Sequence, residues 1–373
     1  MVFGIGLKGK KALLIIAVAV VLVIGGGLAA VFSVLRFQKD VRDDLPSEFS
    51  EMEPDVKLSD RNGVERNSFD LLSEMKSDKD LSSILKDWAL NDTGNSVMYD
   101  DDVLNILLMG IDATGGNSDV IMLASVNQKT KKIYLSSIMR DSYTYIRTPN
   151  GEGFGKINSA YGNGGADCLV QTVENDFKIR VDYYVSVNFD TFAAVVDQIG
   201  GVEVPVMEYE ANAMGNLGTF GDSVRLNGEQ ALMFCRIRYS DSDGDVSRTR
   251  RQRQFITALI RRCGEIDASQ TVEVVKTLLK YVKTDCPATR ILSYATKALV
   301  GKWYTYEVIP ITVPTPDFRM DYMGYAWVWI VDYPPLAQYL QDTVYGSSNI
   351  LLSRDRVSAI DVMRYKSTGE ARP

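Results

Sequence analysis

Ala12 to Leu35 runs 24 residues without one charged side chain. As a helix rising about 1.5 Å per residue it is roughly 36 Å long, enough to cross a hydrocarbon core of about 30 Å with some tilt. A cleaved signal peptide is the competing reading. It needs an apolar core of only about 7–15 residues, followed at once by a small-x-small cleavage site. This run is longer and closes on the bulky Phe32-Ser33-Val34-Leu35-Arg36, so an uncleaved transmembrane helix over 12–35 is expected. Lys8, Lys10 and Lys11 before it balance Arg36, Lys39 and Arg42 after it, and the charge count does not orient it. A short cytoplasmic tail, 1–11, is the simplest topology. It puts the rest of the chain outside the cytoplasm, anchored in the cell membrane by a single pass.

Residues 36–102 are acid-rich and poor in β-branched side chains, and read as an extracytoplasmic stalk with one or two short helices. Phe69, Leu72, Met75, Leu81, Ile84, Leu85 and Trp88 fall at roughly helical spacing. Asp100-Asp101-Asp102 ends the stalk as a solvated acidic run. From Val103 the texture changes. Val103–Met109 is a continuous apolar run bounded by glycine, as a strand buried on both faces would be. Further strands are expected at Val120–Val126, Lys132–Ile138, Tyr183–Asn188, Val202–Val206, Leu232–Ile237 and Tyr304–Ile311. Helices are expected at Cys168–Phe177, Thr191–Ile199, Arg248–Arg262, Ser269–Tyr281, Ala288–Val300 and Pro335–Thr343. Such alternation predicts an α/β fold, a three-layer α-β-α sandwich with a central mixed sheet, over 103–346, followed by a C-terminal tail at 347–373.

Histidine is absent and the P-loop pattern is missing, which excludes His-dependent nucleophilic catalysis, His-based metal sites and Walker-type phosphate binding. The four cysteines stand far apart with no CxxC, which argues against a zinc cluster. Cys263 and Cys286 flank an expected helical hairpin and could pair. A net charge of −7 argues against generic nucleic-acid binding. Asp, Glu, Arg, Lys, hydroxyls and a bound metal ion remain for chemistry.

Eight arginines and no lysine lie between Arg236 and Arg262. Arg236 and Arg238, two apart on an expected strand, would share a face, as would Arg248 and Gln252, four apart on a helix. A cation in a first helical turn opposes the helix dipole, a penalty that a bound anion reverses. Arginine also suits bidentate contact to phosphate. Arg236, Arg238 and Arg248 are therefore the ligand candidates, whereas Arg250, Arg253, Arg261 and Arg262 read as a solvated, salt-bridged face with Asp241, Asp243 and Asp245 as partners. Asp112 and Asp119 flank a Gly-rich loop at strand ends and are as consistent with a Mg²⁺ site as with turn capping. Met139-Arg140-Asp141 ends the third strand, and Lys156-Ile157-Asn158 is unremarkable alone.

Taken in order, Asn105–Asp112, Asn117-Ser118-Asp119, Arg140-Asp141, Lys156–Tyr161, Asp182–Phe189, Ile199–Val202, and Arg236-x-Arg238 through Asp245-x-x-Arg248-x-x-Arg251-Gln252 resemble the LytR–CpsA–Psr family, over about Val103 to Gly346. The resemblance implies a cell-envelope phosphotransferase of Gram-positive type. Such an enzyme moves an anionic glycopolymer, teichoic acid or capsular polysaccharide, from an undecaprenyl-pyrophosphate carrier in the membrane lipid onto peptidoglycan. It further implies that Asp112 and Asp119 hold Mg²⁺, that Arg140, Arg236, Arg238, Arg248 and Gln252 grip the pyrophosphate with Lys156 beside them, and that Asp141 orients an arginine or accepts a proton. The chain departs from many members at Asn117 and Thr114, where arginine is frequent, so one phosphate contact is in doubt. Three rivals remain: a non-catalytic polyprenyl-phosphate binder, a lipid-pyrophosphate phosphatase, and a DNA-bound regulator. The last has neither a helix-turn-helix nor a route from outside the membrane to DNA.

Overall fold

The computed structural model describes residues 58–59, 65–66, 79–90 and 96–368, apart from 112–115, 149, 216, 238–243, 264–281, 324–325 and 354–355. The expected membrane helix over 12–35, the helix over Ser269–Tyr281, Asp112 and Arg238 lie outside the described residues. Among the described residues no helix is long and apolar enough to cross a membrane.

The elements, in chain order, begin with β1 (Leu58–Ser59), β2 (Glu65–Arg66), α1 (Lys79–Leu90), β3 (Val103–Ile111), β4 (Ser118–Asn127), β5 (Lys132–Ile138), β6 (Tyr143–Thr148), β7 (Gly151–Lys156), α2 (Ser159–Phe177), β8 (Tyr183–Asn188) and α3 (Phe189–Gln198). They continue with β9 (Val202–Val206), α4 (Glu208–Ala213), β10 (Gly221–Leu226), α5 (Gly228–Arg236), α6 (Gly244–Cys263), β11 (Lys283–Thr284), α7 (Ala288–Val300), β12 (Glu307–Val313), β13 (Arg319–Met323), β14 (Trp327–Val331), α8 (Tyr333–Tyr345) and α9 (Ala359–Thr368).

Six strands form one mixed sheet in the order β11-β8-β3-β4-β5-β12. The β3/β8 and β5/β12 pairs are parallel, and β3/β4, β4/β5 and β8/β11 antiparallel. Because side chains alternate along a strand, the apolar run of β3 splits between two cores. Val103, Leu107, Met109 and Ile111 face α1, α2, α8, α9 and β14. Leu104 and Ile106 face α3, α5, α6 and α7. The sheet is covered on both faces, which is why its central strands read as continuous apolar runs.

The core reaches past 103–346 in both directions. Leu81 and Leu85 of α1, in the expected stalk, and Ala359 and Met363 of α9, in the expected tail, are buried in it. Leu232–Ile237 is not a strand. It is the end of α5, started by Asn227, whose side chain accepts from the Gln230 N–H while Gln230 caps back onto Asn227. Such a capping box outranks the ambiguous apolar run Leu-Met-Phe-Cys. Arg236 thus closes a helix, where a cation suits the dipole, and does not sit on a strand beside Arg238. Helix α6 begins at Gly244, which moves Arg248 to the second turn and weakens the dipole argument for it. Cys286 is a free buried thiol, so the pairing with Cys263 is not made.

Helices α3 and α5 meet at Gly228, where a Cβ would stand 2.1 Å from the Ala193 carbonyl oxygen. Gly228→Ala is expected to cost about 1–3 kcal/mol by forcing the helices apart, read as a lower denaturation midpoint at unchanged slope.

Asp176 of α2 is fully buried under Thr144, which donates to Oδ1 at 2.7 Å. Its Oδ2 has no hydrogen-bond partner among the described residues, and burial pushes the carboxyl from 3.8 up to about 8. The folded state therefore keeps a proton that the unfolded state releases, and this group's contribution to stability falls as pH rises from about 4 to about 8. In Asp176→Asn that slope should disappear from unfolding free energies measured across the interval.

Candidate active site

The site is assembled where β5, β12 and the start of β4 meet α6. Met139 donates its N–H to the Val313 carbonyl at 2.7 Å, continuing the β5/β12 pairing one residue past Ile138 and presenting Arg140 just beyond the end of β5. Its guanidinium is ion-paired through Nη1 with Asp119 of β4, and its Nε lies 3.6 Å from Asp141 Oδ2. The β6/β7 hairpin, unrecognised in the sequence because glycines occupy half of β7, turns the chain back and aligns Lys156 with Tyr143. Lys156 Nζ then donates to Asp141 Oδ1 at 2.6 Å. The result is an alternating chain, Asp119–Arg140–Asp141–Lys156. Its backbone is tied by the Asn158 N–H to the Arg140 carbonyl at 3.3 Å and the Ile157 N–H to the Ser142 carbonyl at 2.8 Å.

Behind Asp119 opens a cavity of about 390 Å³ between the sheet and helices α3, α5 and α6. Its walls are apolar, with Leu108, Val120, Val187, Phe192, Phe255 and Leu259 among them, and Asp119, Arg236, Arg248 and Gln252 join the same lining. Gly110 lines it as well, and a Cβ there would stand 2.8 Å from Val120 Cγ2. The β3/β4 register shifts at this point, so that Ile111 pairs with Ser118.

Arg248 is 3 % exposed and Gln252 8 %. The Gln252 Nε2 donates to the Cys235 carbonyl at 3.4 Å, linking α6 to α5. Cys235, also in the lining, has its thiol pushed up to about 12 by burial.

Of the residues singled out in the sequence, Asp119, Arg236, Arg248 and Gln252 share the cavity, and Arg140, Asp141 and Lys156 adjoin through Asp119. The apolar walls contributed by α3 escaped notice, since a Phe-Ala-Ala-Val-Val helix face reads as ordinary core. Arg253 corrects the expected solvated face. It is 8 % exposed, its Nη1 donates to the Ile311 carbonyl at 3.4 Å, and burial followed by repulsion from Arg250 pulls its guanidinium down to about 10. Arg262 is half-buried and donates to the Ile199 carbonyl at 3.0 Å, whereas Arg250 and Arg261 are exposed. Arg251, fully buried, is ion-paired with Glu210 of α4 at 2.7 Å and donates to the Ile237 carbonyl at 3.1 Å.

The LytR_cpsA_psr family model matches residues 70–343. The chain belongs to the LytR–CpsA–Psr family. It is 37% identical over 201 residues to the polyisoprenyl-teichoic acid–peptidoglycan teichoic acid transferase TagU of Oceanobacillus iheyensis, covering 51% of this chain and 61% of TagU. It is 32% identical over 225 residues to the biofilm regulatory protein A of Streptococcus mutans, 55% of each chain. The LytR–CpsA–Psr chain thus covers less than two thirds of the length of these relatives. A structure of TagT bound to LIIa-WTA superposes with a TM-score of 0.55 at 25% identity, covering 68% of this chain and 94% of TagT.

The buried pair Arg251–Glu210 joins α6, α4 and the segment leaving α5. Removing one partner strands a buried charge, so Glu210→Ala should destabilise by about 3–5 kcal/mol. Urea titration of the variant beside the parent chain measures the difference.

Proposed function

We propose that this protein is an extracytoplasmic, membrane-anchored phosphotransferase that takes an anionic glycopolymer from a polyprenyl-pyrophosphate carrier and attaches it to peptidoglycan. The observation that carries the reading is the contiguity of an apolar cavity with a cluster of guanidinium and amide groups at its rim, Arg236, Arg248 and Gln252 beside Asp119 and Arg140. A ligand that is isoprenoid at one end and diphosphate at the other matches both halves. TagU, by its name, acts on polyisoprenyl-teichoic acid and peptidoglycan, and TagT is bound to LIIa-WTA. Both support the same substrate class.

In this reading the polyprenyl chain lies along Leu108, Val187, Phe192 and Phe255, excluding water from the phosphates. Arg236, Arg248 and Arg140 then neutralise the diphosphate, where charge-assisted bonds are shorter and stronger than neutral ones. An acceptor hydroxyl of peptidoglycan forms the new P–O bond at the phosphorus next to the sugar. The bridging P–O bond breaks, polyprenyl phosphate leaves, and the hydroxyl proton passes to a base. Phosphoryl transfer needs positioning and charge neutralisation above all, which a site without histidine can supply. Asp141, held by both Lys156 and Arg140, serves as a positioning residue for Arg140.

Asp119 would hold Mg²⁺, with Asp112, which follows the cavity-adjacent end of β3. Among the described residues there is no group of three or more His, Cys, Asp and Glu side chains that could hold a metal. A hard-oxygen donor set of one or two carboxylates completed by phosphate and water fits magnesium. When bound, the ion supplies charge neutralisation on the diphosphate oxygens.

Native mass spectrometry of the purified chain should find polyprenyl phosphate or pyrophosphate bound, and Arg248→Ala should weaken that binding about 10–100-fold through lost charge-assisted hydrogen bonds. Asp119→Ala at normal protein level should abolish glycopolymer attachment in cells. Binding retained with attachment unchanged in Asp119→Ala would identify a non-catalytic lipid binder, and free phosphate without glycan on peptidoglycan a phosphatase.

A further inference from the structure

We propose that the face of the β13/β14 hairpin bearing Arg319, Trp327 and Trp329 is a saccharide-stacking platform, which takes an N-acetylated pyranose of the glycan acceptor. The inference rests on the transferase reading for the acceptor's identity, and on geometry for the platform itself.

The hairpin register pairs Arg319 with Val331, Asp321 with Trp329 and Met323 with Trp327. Since directly opposed residues of a hairpin project from the same side, one face carries two indoles, a thioether, a guanidinium and a carboxylate, with the buried Val331 at its inner end. Trp327 meets Trp329 edge to face, with centroids 4.5 Å apart at 74°. The Arg319 guanidinium lies 4.0 Å from the Trp329 centroid. This stack holds Trp329 rigid while Trp327 stays part-exposed beside Met323, which is 63% exposed. The buried Trp329 Nε1–H finds no acceptor among the described residues, so the hairpin leaves one indole donor unused. Trp329 also packs against the core, beside the buried Val331 of the same face, so the part-exposed Trp327 carries the accessible ring of the platform.

The platform joins the candidate active site by two hydrogen-bonded routes. Trp329 donates its N–H to the Asp141 carbonyl at 2.9 Å. Arg319 Nη1 donates to the Pro314 carbonyl at 3.4 Å, next to Val313, whose own carbonyl receives the Met139 N–H one residue before Arg140. A pyranose presents one apolar C–H face and a rim of hydroxyl and acetamido groups. The part-exposed Trp327 indole, with Asp321 and Arg319 further along the same face, complements both. A nucleotide base would stack as well, but its phosphate would meet the Asp321 carboxylate, so the uncharged sugar is favoured.

The experiment uses the full chain in detergent with 5-fluorotryptophan at its four tryptophans, titrated with chitotetraose and read by fluorine NMR. Resonances of Trp327 and Trp329 should move and those of Trp88 and Trp303 stay, with assignments from single Trp→Phe variants. Trp327→Ala should weaken the interaction about tenfold, the scale of one aromatic stacking contact, while Trp327→Phe and Arg248→Ala retain it. Absence of any shift, or shifts confined to Trp88 or Trp303, overturns the platform. Because the fluorine readout on the parent chain needs no variant, it decides even if Trp327→Ala does not fold. Polyprenyl pyrophosphate binding, measured on the same sample, separates the two claims. Its absence with chitotetraose bound would sink the transferase reading and leave the platform standing.

Discussion

A guanidinium cannot be withdrawn from water unless something inside replaces the water, and α6 carries three of them inward. Arg251 is met by Glu210 and the Ile237 carbonyl. Among the described residues Arg253 is met by a long bond to the Ile311 carbonyl, and burial disfavours its charge. Arg248 is turned to the rim of the cavity near Asp119. The first two contacts dock α6 against α4 and β12, and in doing so they aim the third. Orientation of Arg248 is thus a consequence of how its neighbours on the same helix are neutralised.

The cavity follows from the opposite tendency. Around Gly110 and Val120 the two central strands approach so closely that no further side chain fits, while α3, α5 and α6 are held off the sheet by the contacts at their ends. Capping at Asn188 and Asn227 fixes the starts of α3 and α5, and the Gly228–Ala193 contact sets their separation. What remains between sheet and helices is lined by branched and aromatic side chains and opens beside charged groups. An apolar cavity lined at one side by arginines fits the two halves of the proposed carrier.

Much of this was legible beforehand. A continuous apolar run bounded by glycine marked β3, largely apolar stretches joined by a turn-like segment marked β4 and β5, and the arginine-rich, lysine-free segment marked α6. Arg248 stood out as an arginine near a helix start with Gln252 one turn on, whereas Asp119 was as consistent with turn capping and Arg140 took its role from the family resemblance. Glycine-rich β7, the aromatic β13/β14 hairpin and the acid-flanked α4 were illegible, since each is stabilised by what packs on it and not by its own periodicity. The run Leu232–Ile237 went wrong for a local reason: six residues cannot distinguish strand from helix by pattern, and the decisive signal, Asn227 with Gln230, lies just upstream.

By itself the amino-acid sequence determined the alternation of strands and helices, the chemistry available without histidine, and the clustering of arginines without lysine between Arg236 and Arg262. All three depend on residue type and short spacing. Tertiary structure alone decided that Lys156 returns to Asp141, that Arg253 lies buried and not solvated, that residues on both sides of 103–346 complete the core, and that the space behind Asp119 stays open. These depend on which distant segments are brought into contact, and a strand's register or a helix's separation from a sheet is set by the bulk and charge of partners far away in the chain.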